Sequence, residues 1–237
     1  MTARTSALLA LVAVSAPGCK NPDSPSGPDY NPQLPTVWAA AVTNTYFPLA
    51  SGTTWRYRAQ TAAGLETSTF EVLPGTRLVR GVAATVVHDR VYLNGSLIED
   101  TIDWFAQDGA GNVWYLGEQV KDIQNGQVKD TLGSWEWGVD GALPGIYMWA
   151  TPAAHLGEAY RQEFYRGKAE DWGKVITLQQ SVTVPFGSFS GCITTEDWLG
   201  LTPNDPHANK TYCPQVGLVR EVKVGSTEAV ELISRTP

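Results

Sequence analysis

Hydrophobic and polar positions alternate with a period of two along most of this chain. Trp55, Tyr57 and Ala59 alternate with Arg56 and Arg58, and Ser68, Phe70 and Val72 follow a turn at Ala63-Gly64. Pro74-Gly75 signals another turn, and Val82 to Leu93 reads as a long strand. Asn94-Gly95 is a type I′ hairpin signal before Ser96 to Gln107, since both central residues of that turn need positive φ. Asp108 to Asn112 turns into Val113 to Ile123, and Asn125-Gly126 turns into a short strand near Val128. Glu158 to Arg166, Val175 to Val184, Cys192 to Leu199 and Leu218 to Val224 continue the pattern. Pro185-Phe186-Gly187 and the polar stretch from Gly200 to Thr211 interrupt it. Hairpins in succession predict a mainly β chain: one antiparallel half-barrel or closed barrel of about 10 strands.

Thr131 to Gly157 breaks the alternation. Glycine, proline and aromatic residues dominate it, including Trp135, Trp137, Tyr147, Met148 and Trp149. Long irregular segments in compact domains are often functional. Flat rings and a thioether offer adaptable apolar surface, suited to a lid over an apolar ligand or to a sugar platform. The same residues equally suit a plug whose rings are core.

The N-terminus sets the address. Ala7 to Val14 is an apolar run of 8 residues behind Arg4, too short to span a bilayer. Gly18-Cys19 follows, similar to a bacterial lipobox, in which the cysteine carries lipid; Ala16 and Pro17 depart from that pattern. An ordinary secretory signal is the alternative. Residues 1–19 are expected to be a signal segment, 20–43 a tether rich in proline, and 44–237 the β domain. Val37 to Val42 is an apolar run expected to dock as a first strand or helical turn. Lys20 after the cysteine implies, by similarity to Gram-negative lipoproteins, the outer membrane. In an exported chain Cys192 and Cys213 are expected to form a disulfide, with two free buried thiols as the alternative.

The 237 residues are 43% hydrophobic and 17% charged, which permits a sizeable core and argues against disorder. A formal net charge of −7, with no basic stripe, argues against a nucleic-acid partner.

Candidate chemistry is sparse. Ile98, Asp100, Ile102 and Trp104 share one strand face, more apolar than the face of Leu97, Glu99, Thr101, Asp103 and Phe105, so Asp100 is expected inside. Arg220 sits likewise among Leu218, Val222 and Val224. An inward carboxylate needs a partner or a raised pKa, and Asp100 and Arg220 could line one polar spot. The alternative is that either strand faces the opposite way, or that a bulge turns one residue out. Glu99, Asp100, Asp103, Glu163, Glu170 and Asp171 have oxygen ligands for a hard cation but no EF-hand spacing, and a solvated face is preferred. His88, His155 and His207 have no metal-ligand spacing. No metal or other cofactor is expected.

S-V-T-V-P-F-G-S-F (181–189) with Y-C-P-Q-V-G-L-V-R-E-V (212–222) resembles a signature of secreted and periplasmic β-rich bacterial proteins. Lipoproteins of unknown function share stretches similar to Tyr46–Trp55, Asp103–Glu118 and Tyr160–Tyr165, so the resemblance covers roughly residues 44 to 233. It implies a β-rich envelope protein, is weakly similar to the half-barrels of lipoprotein carriers, and implies no assigned chemistry. The expected function is a non-catalytic, lipid-anchored cell-envelope protein. It would bind an apolar small molecule or lipid, or an envelope protein, at an aromatic mouth formed by Trp135, Trp137, Tyr147, Trp149, Asp100 and Arg220. The alternatives are an envelope hydrolase or metal-dependent enzyme with its site near the 131–157 loop, using His155 or the inward acids, and a structural surface module.

Overall fold

The computed structural model describes residues 30–201 and 206–237. The signal segment, Cys19, the first part of the tether and the loop residues Pro203, Asn204 and Asp205 lie outside them. The strands are β1 (Thr54–Thr61), β2 (Gly64–Val79), β3 (Val82–Leu93), β4 (Ser96–Gln107), β5 (Val113–Gln124), β6 (Gln127–Asp130), β7 (Trp135–Glu136) and β8 (Leu143–Met148). A single 3-10 turn, Pro152–His155, precedes β9 (Ala159–Arg161), β10 (Glu163–Phe164), β11 (Trp172–Val184), β12 (Gly187–Trp198), β13 (His207–Cys213), β14 (Gly217–Lys223) and β15 (Ala229–Thr236).

These strands form one antiparallel sheet in the order β10-β8-β5-β4-β3-β2-β1-β15-β14-β13-β12-β11-β9, with β6 and β7 paired to β5. The sheet is an open half-barrel of 15 strands, more than the sequence suggested. The surplus comes from places where the turn residues mislead. Pro74 and Gly75 do not end β2; they occupy a register break between Val72 and Thr76, where proline costs no ladder bond. The irregular 131–157 segment contributes β7 and β8, and part of the polar stretch before Thr211 is β13.

The two ends of the sheet are almost the same piece of chain. Arg161 ends β9, which pairs with β11, and Glu163 begins β10, which pairs with β8. No ladder joins β9 to β10, and the seam rests on two residue pairs, Glu163–Pro144 and Phe164–Leu143. Gly145 allows this approach, since a Cβ there would strike the Arg161 carbonyl and the Gln162 backbone. Beyond Lys174, the only described partner on the far flank of β11 is a single bridge from Leu156 to Val175. β11 meets β12 with three register breaks between Val175 and Val182, and Gln179 has φ 57°.

The apolar half of the interior is filled from outside the sheet. Asn44 Oδ1 accepts the Tyr46 and Phe47 amides at 2.9 and 3.2 Å, turning Phe47 inward. Its ring then meets Phe105 at 5.2 Å and Tyr147 at 4.6 Å between centroids. Trp55 Nε1 and Tyr57 Oη donate to the Val216 and Leu218 carbonyls at 2.7 and 3.0 Å, tying β1 to the β14 region across β15. Cys192 and Cys213 are bonded, with Cα atoms 4.2 Å apart, and join β12 to β13 beside this core. A second cluster includes Trp104, Ala106, Trp114, Leu116 and Ile146, the alternate residues of β4, β5 and β8.

Candidate cleft on the outer face

Where the interior was expected to be hollow, its aromatic part is packed. The space among Phe47, Tyr147 and Leu218 is about 10 Å³, roughly one water. Of the predicted mouth residues, Trp135 and Tyr147 are 4% and 3% exposed and belong to this core. Tyr147 Oη lies 3.3 Å from Tyr212 Oη. Trp137 packs against Trp38 at 6.2 Å, with the Arg80 guanidinium 5.7 Å above its ring. Trp135 and Tyr147 of the aromatic segment are thus core residues.

Asp100 and Arg220 have separate partners. Asp100 Oδ1 lies 2.6 Å from His88 Nε2 and its Oδ2 lies 3.5 Å from Lys121 Nζ, while Arg220 Nε lies 3.5 Å from Glu231. β3, β2, β1 and β15 stand between their strands. Along Leu97–Asp103 of β4 the buried residues are Glu99, Thr101 and Asp103, the reverse of the facing that apolarity suggested, and from Trp104 onward both faces are buried.

That facing gives the other half of the interior a polar lining. Cross-strand partners share a face, so Asp103 lies beside Glu118, and Thr101 beside Asp89 and Val120. Burial, then the neighbouring Asp122, pushes the Glu99 carboxyl up to about 8; the Thr101 hydroxyl opposes this. Burial likewise pushes Asp103 up to about 7, against the bond donated by Tyr115 Oη at 2.5 Å. Glu66 and Glu221 are also raised by burial to about 7. Asp89, Glu118 and Glu163 are driven well above the ordinary range by burial first and neighbouring carboxyls second. Lys210 is buried against Asp197 at 3.2 Å. Burial alone would lower its pKa, but Asp197 and Glu221 hold it above the ordinary value. Among the described residues, no three His, Cys, Asp or Glu side chains are arranged to hold a metal ion. The histidines are dispersed, each against a carboxylate: His88 on Asp100, His155 on Glu158 and His207 on Glu196.

An opening of about 780 Å³ lies on the outer face, between the sheet and the Tyr30–Val37 strap. Trp114 and Ile146 reach it because their alternating neighbours Tyr115 and Tyr147 point inward. Trp149, Tyr160 and Trp172 complete the sheet side, and Tyr30, Pro32, Pro35 and Val37 form the strap side. Two anchors hold the strap. Tyr30 Oη donates to the Pro144 carbonyl at 3.0 Å, and its ring sits 5.7 Å from Phe164. At the other end, the Gly109 amide donates to the Val37 carbonyl at 3.0 Å, the Ala39 amide donates to the Gln107 carbonyl at 2.8 Å, and Trp38 packs on Trp114.

The charges in the wall are already engaged. Asp108 accepts the Ala110 and Asn112 amides, Asn112 Nδ2 and Trp114 Nε1, all at 2.9 Å. Arg161 donates to the Glu170 carbonyl and carboxylate at 2.6 and 3.1 Å, and its guanidinium lies 4.1 Å over Trp172. Burial lowers its pKa, and Glu170 opposes that. Trp149 stacks on His155 at 3.7 Å, within 14° of parallel, and meets Tyr160 edge-on at 5.5 Å. Its Nε1 is buried without a partner. The wall therefore offers flat rings and bound charges, a surface for uncharged apolar matter. Of the expected mouth residues, only Trp149 lines this opening. The strap was missed because its prolines carry no periodicity.

No protein-family model matches the chain, and no curated protein matches it. Two solved structures align with the chain at low similarity. One is a protein named as exported, with a YmcC-like fold, from Bacteroides fragilis: 15% identity, 82% of this chain and 100% of that one, TM-score 0.47. The other is named as a lipoprotein, from Parabacteroides distasonis: 12% identity, 81% and 99% covered, TM-score 0.38. What this chain shares with them is a resemblance of β architecture alone.

Proposed function

We propose that the protein is a non-catalytic binding protein of the bacterial cell envelope, holding an uncharged apolar ligand in the cleft under its strap. The cleft carries this reading. Its volume of about 780 Å³ is that of a small-molecule site, its walls are aromatic, and its charges are internally paired. Lipid attached at Cys19, a residue outside those described, would anchor the domain through the segment that becomes the strap.

The test is fluorescence titration with N-phenyl-1-naphthylamine, a neutral apolar probe. Binding in the micromolar range is expected. Trp149→Ala removes one wall ring and should weaken binding about tenfold, read at a temperature where both proteins are fully folded. Absence of binding, or equal affinity in the variant, would remove the cleft reading and favour a surface module.

A further inference from the structure

The seam of the half-barrel is built unlike the rest of the sheet. It has two residue pairs, and one partner is Pro144, which has no amide to donate. Behind it lie Glu163, Glu118 and Asp103, at 4%, 5% and 0% exposure. Glu163 Oε2, Glu118 Oε2 and Asp103 Oδ2 are each buried without a hydrogen-bond partner. Ionised carboxylates cannot crowd in this way unless protons or cations intervene.

The neighbours of these oxygens are mostly acidic. Glu163 faces Asp171, Glu118 and the Trp135 indole, and its charge is felt by Tyr115. Glu118 faces Asp103, Asp171, Glu99 and Tyr115. The Arg161 guanidinium, on the same segment, bonds to the Glu170 carbonyl and carboxylate.

The same segment forms a wall of the cleft. Ala159, Tyr160 and Arg161 line it on one side of the seam, and Ile146 of β8 lines it on the other. Tyr30, the first anchor of the strap, spans the seam by touching both Pro144 and Phe164.

We propose that Ala159–Phe164 is a proton-controlled latch on the cleft, held against β8 while Glu163, Glu118 and Asp103 share protons, and released when they ionise. This rests on the cleft being a ligand site. Ligand is retained in mildly acidic to neutral medium and released in alkaline medium.

Hydrogen exchange between pH 5.5 and 8.5, corrected for base catalysis, tests it on the whole protein. Protection of the Tyr160–Tyr165 amides is read relative to Val87–Val91 in β3. That ratio should fall by about tenfold or more across the interval, the effect of moving one unit past a titration. Dissociation of N-phenyl-1-naphthylamine should accelerate over the same interval. Glu163→Gln combined with Glu118→Gln should flatten both profiles. A flat ratio in the unmodified protein overturns the latch whether or not the variant folds. So does an equal fall in the variant. Probe binding with a flat ratio sinks the latch alone; a falling ratio with no probe bound at any pH sinks the cleft reading alone.

Discussion

Replacing Glu99 by glutamine isolates the energetic consequence of an acidic interior. Glu99 is 5% exposed, accepts a 3.3 Å bond from Thr101 and has its carboxyl raised from 4.5 to about 8. The folded chain thus keeps a proton that the unfolded chain loses near 4.5. The stabilisation is fully present below that pH and is lost as pH rises through about 8. At about 1.36 kcal/mol per unit the ceiling is about 5 kcal/mol. Side-chain relaxation and water entry reduce the realised cost, so about 2–3 kcal/mol is expected. Glutamine matches the protonated acid in shape. The variant should therefore equal the parent within about 0.5 kcal/mol at pH 4 and exceed it by about 2–3 kcal/mol at pH 9. Urea unfolding followed by tryptophan fluorescence at pH 4, 6.5 and 9, with the disulfide intact, measures this. A constant difference at all three pH values would refute the reasoning, as would a parent protein that gains stability toward pH 9.

Lys210→Met should cost about 3–5 kcal/mol because it leaves Asp197 charged and buried; adding Asp197→Leu should recover most of that in the same assay. Cys192→Ser with Cys213→Ser releases a closure of 21 positions and should cost about 3 kcal/mol by chain entropy, read as a lower urea midpoint that reductant no longer shifts.

The order of hairpins was legible because strands and I′ turns are local. Asn94-Gly95 and Asn125-Gly126 sit where the pattern puts them, between β3 and β4 and between β5 and β6. The disulfide was legible from cysteine counting in an exported chain. The facing of β4 was not. Apolarity favours turning Ile98, Ile102 and Trp104 inward, yet Asp103 takes a bond from Tyr115 of β5 and Glu99 one from Thr101 of its own strand, and these polar partners make the other facing tolerable. Those partners lie on another strand or depend on strand facing, which a linear pattern does not state. The cleft escaped for a similar reason. Trp149 was singled out, but Tyr30, Trp114 and Trp172 come from three distant stretches, and only the folded strap brings them together.

The uneven course of β11 bears on how copies of this chain coexist. A bare sheet margin is a template on which another molecule can stack strand upon strand. Three slips in spacing between Val175 and Val182, with Gln179 twisted to positive φ, leave amides and carbonyls at unequal intervals. An incoming strand would lose step after two or three bonds. The half-barrel can therefore stay open at one margin without seeding fibres, even where many molecules are crowded together.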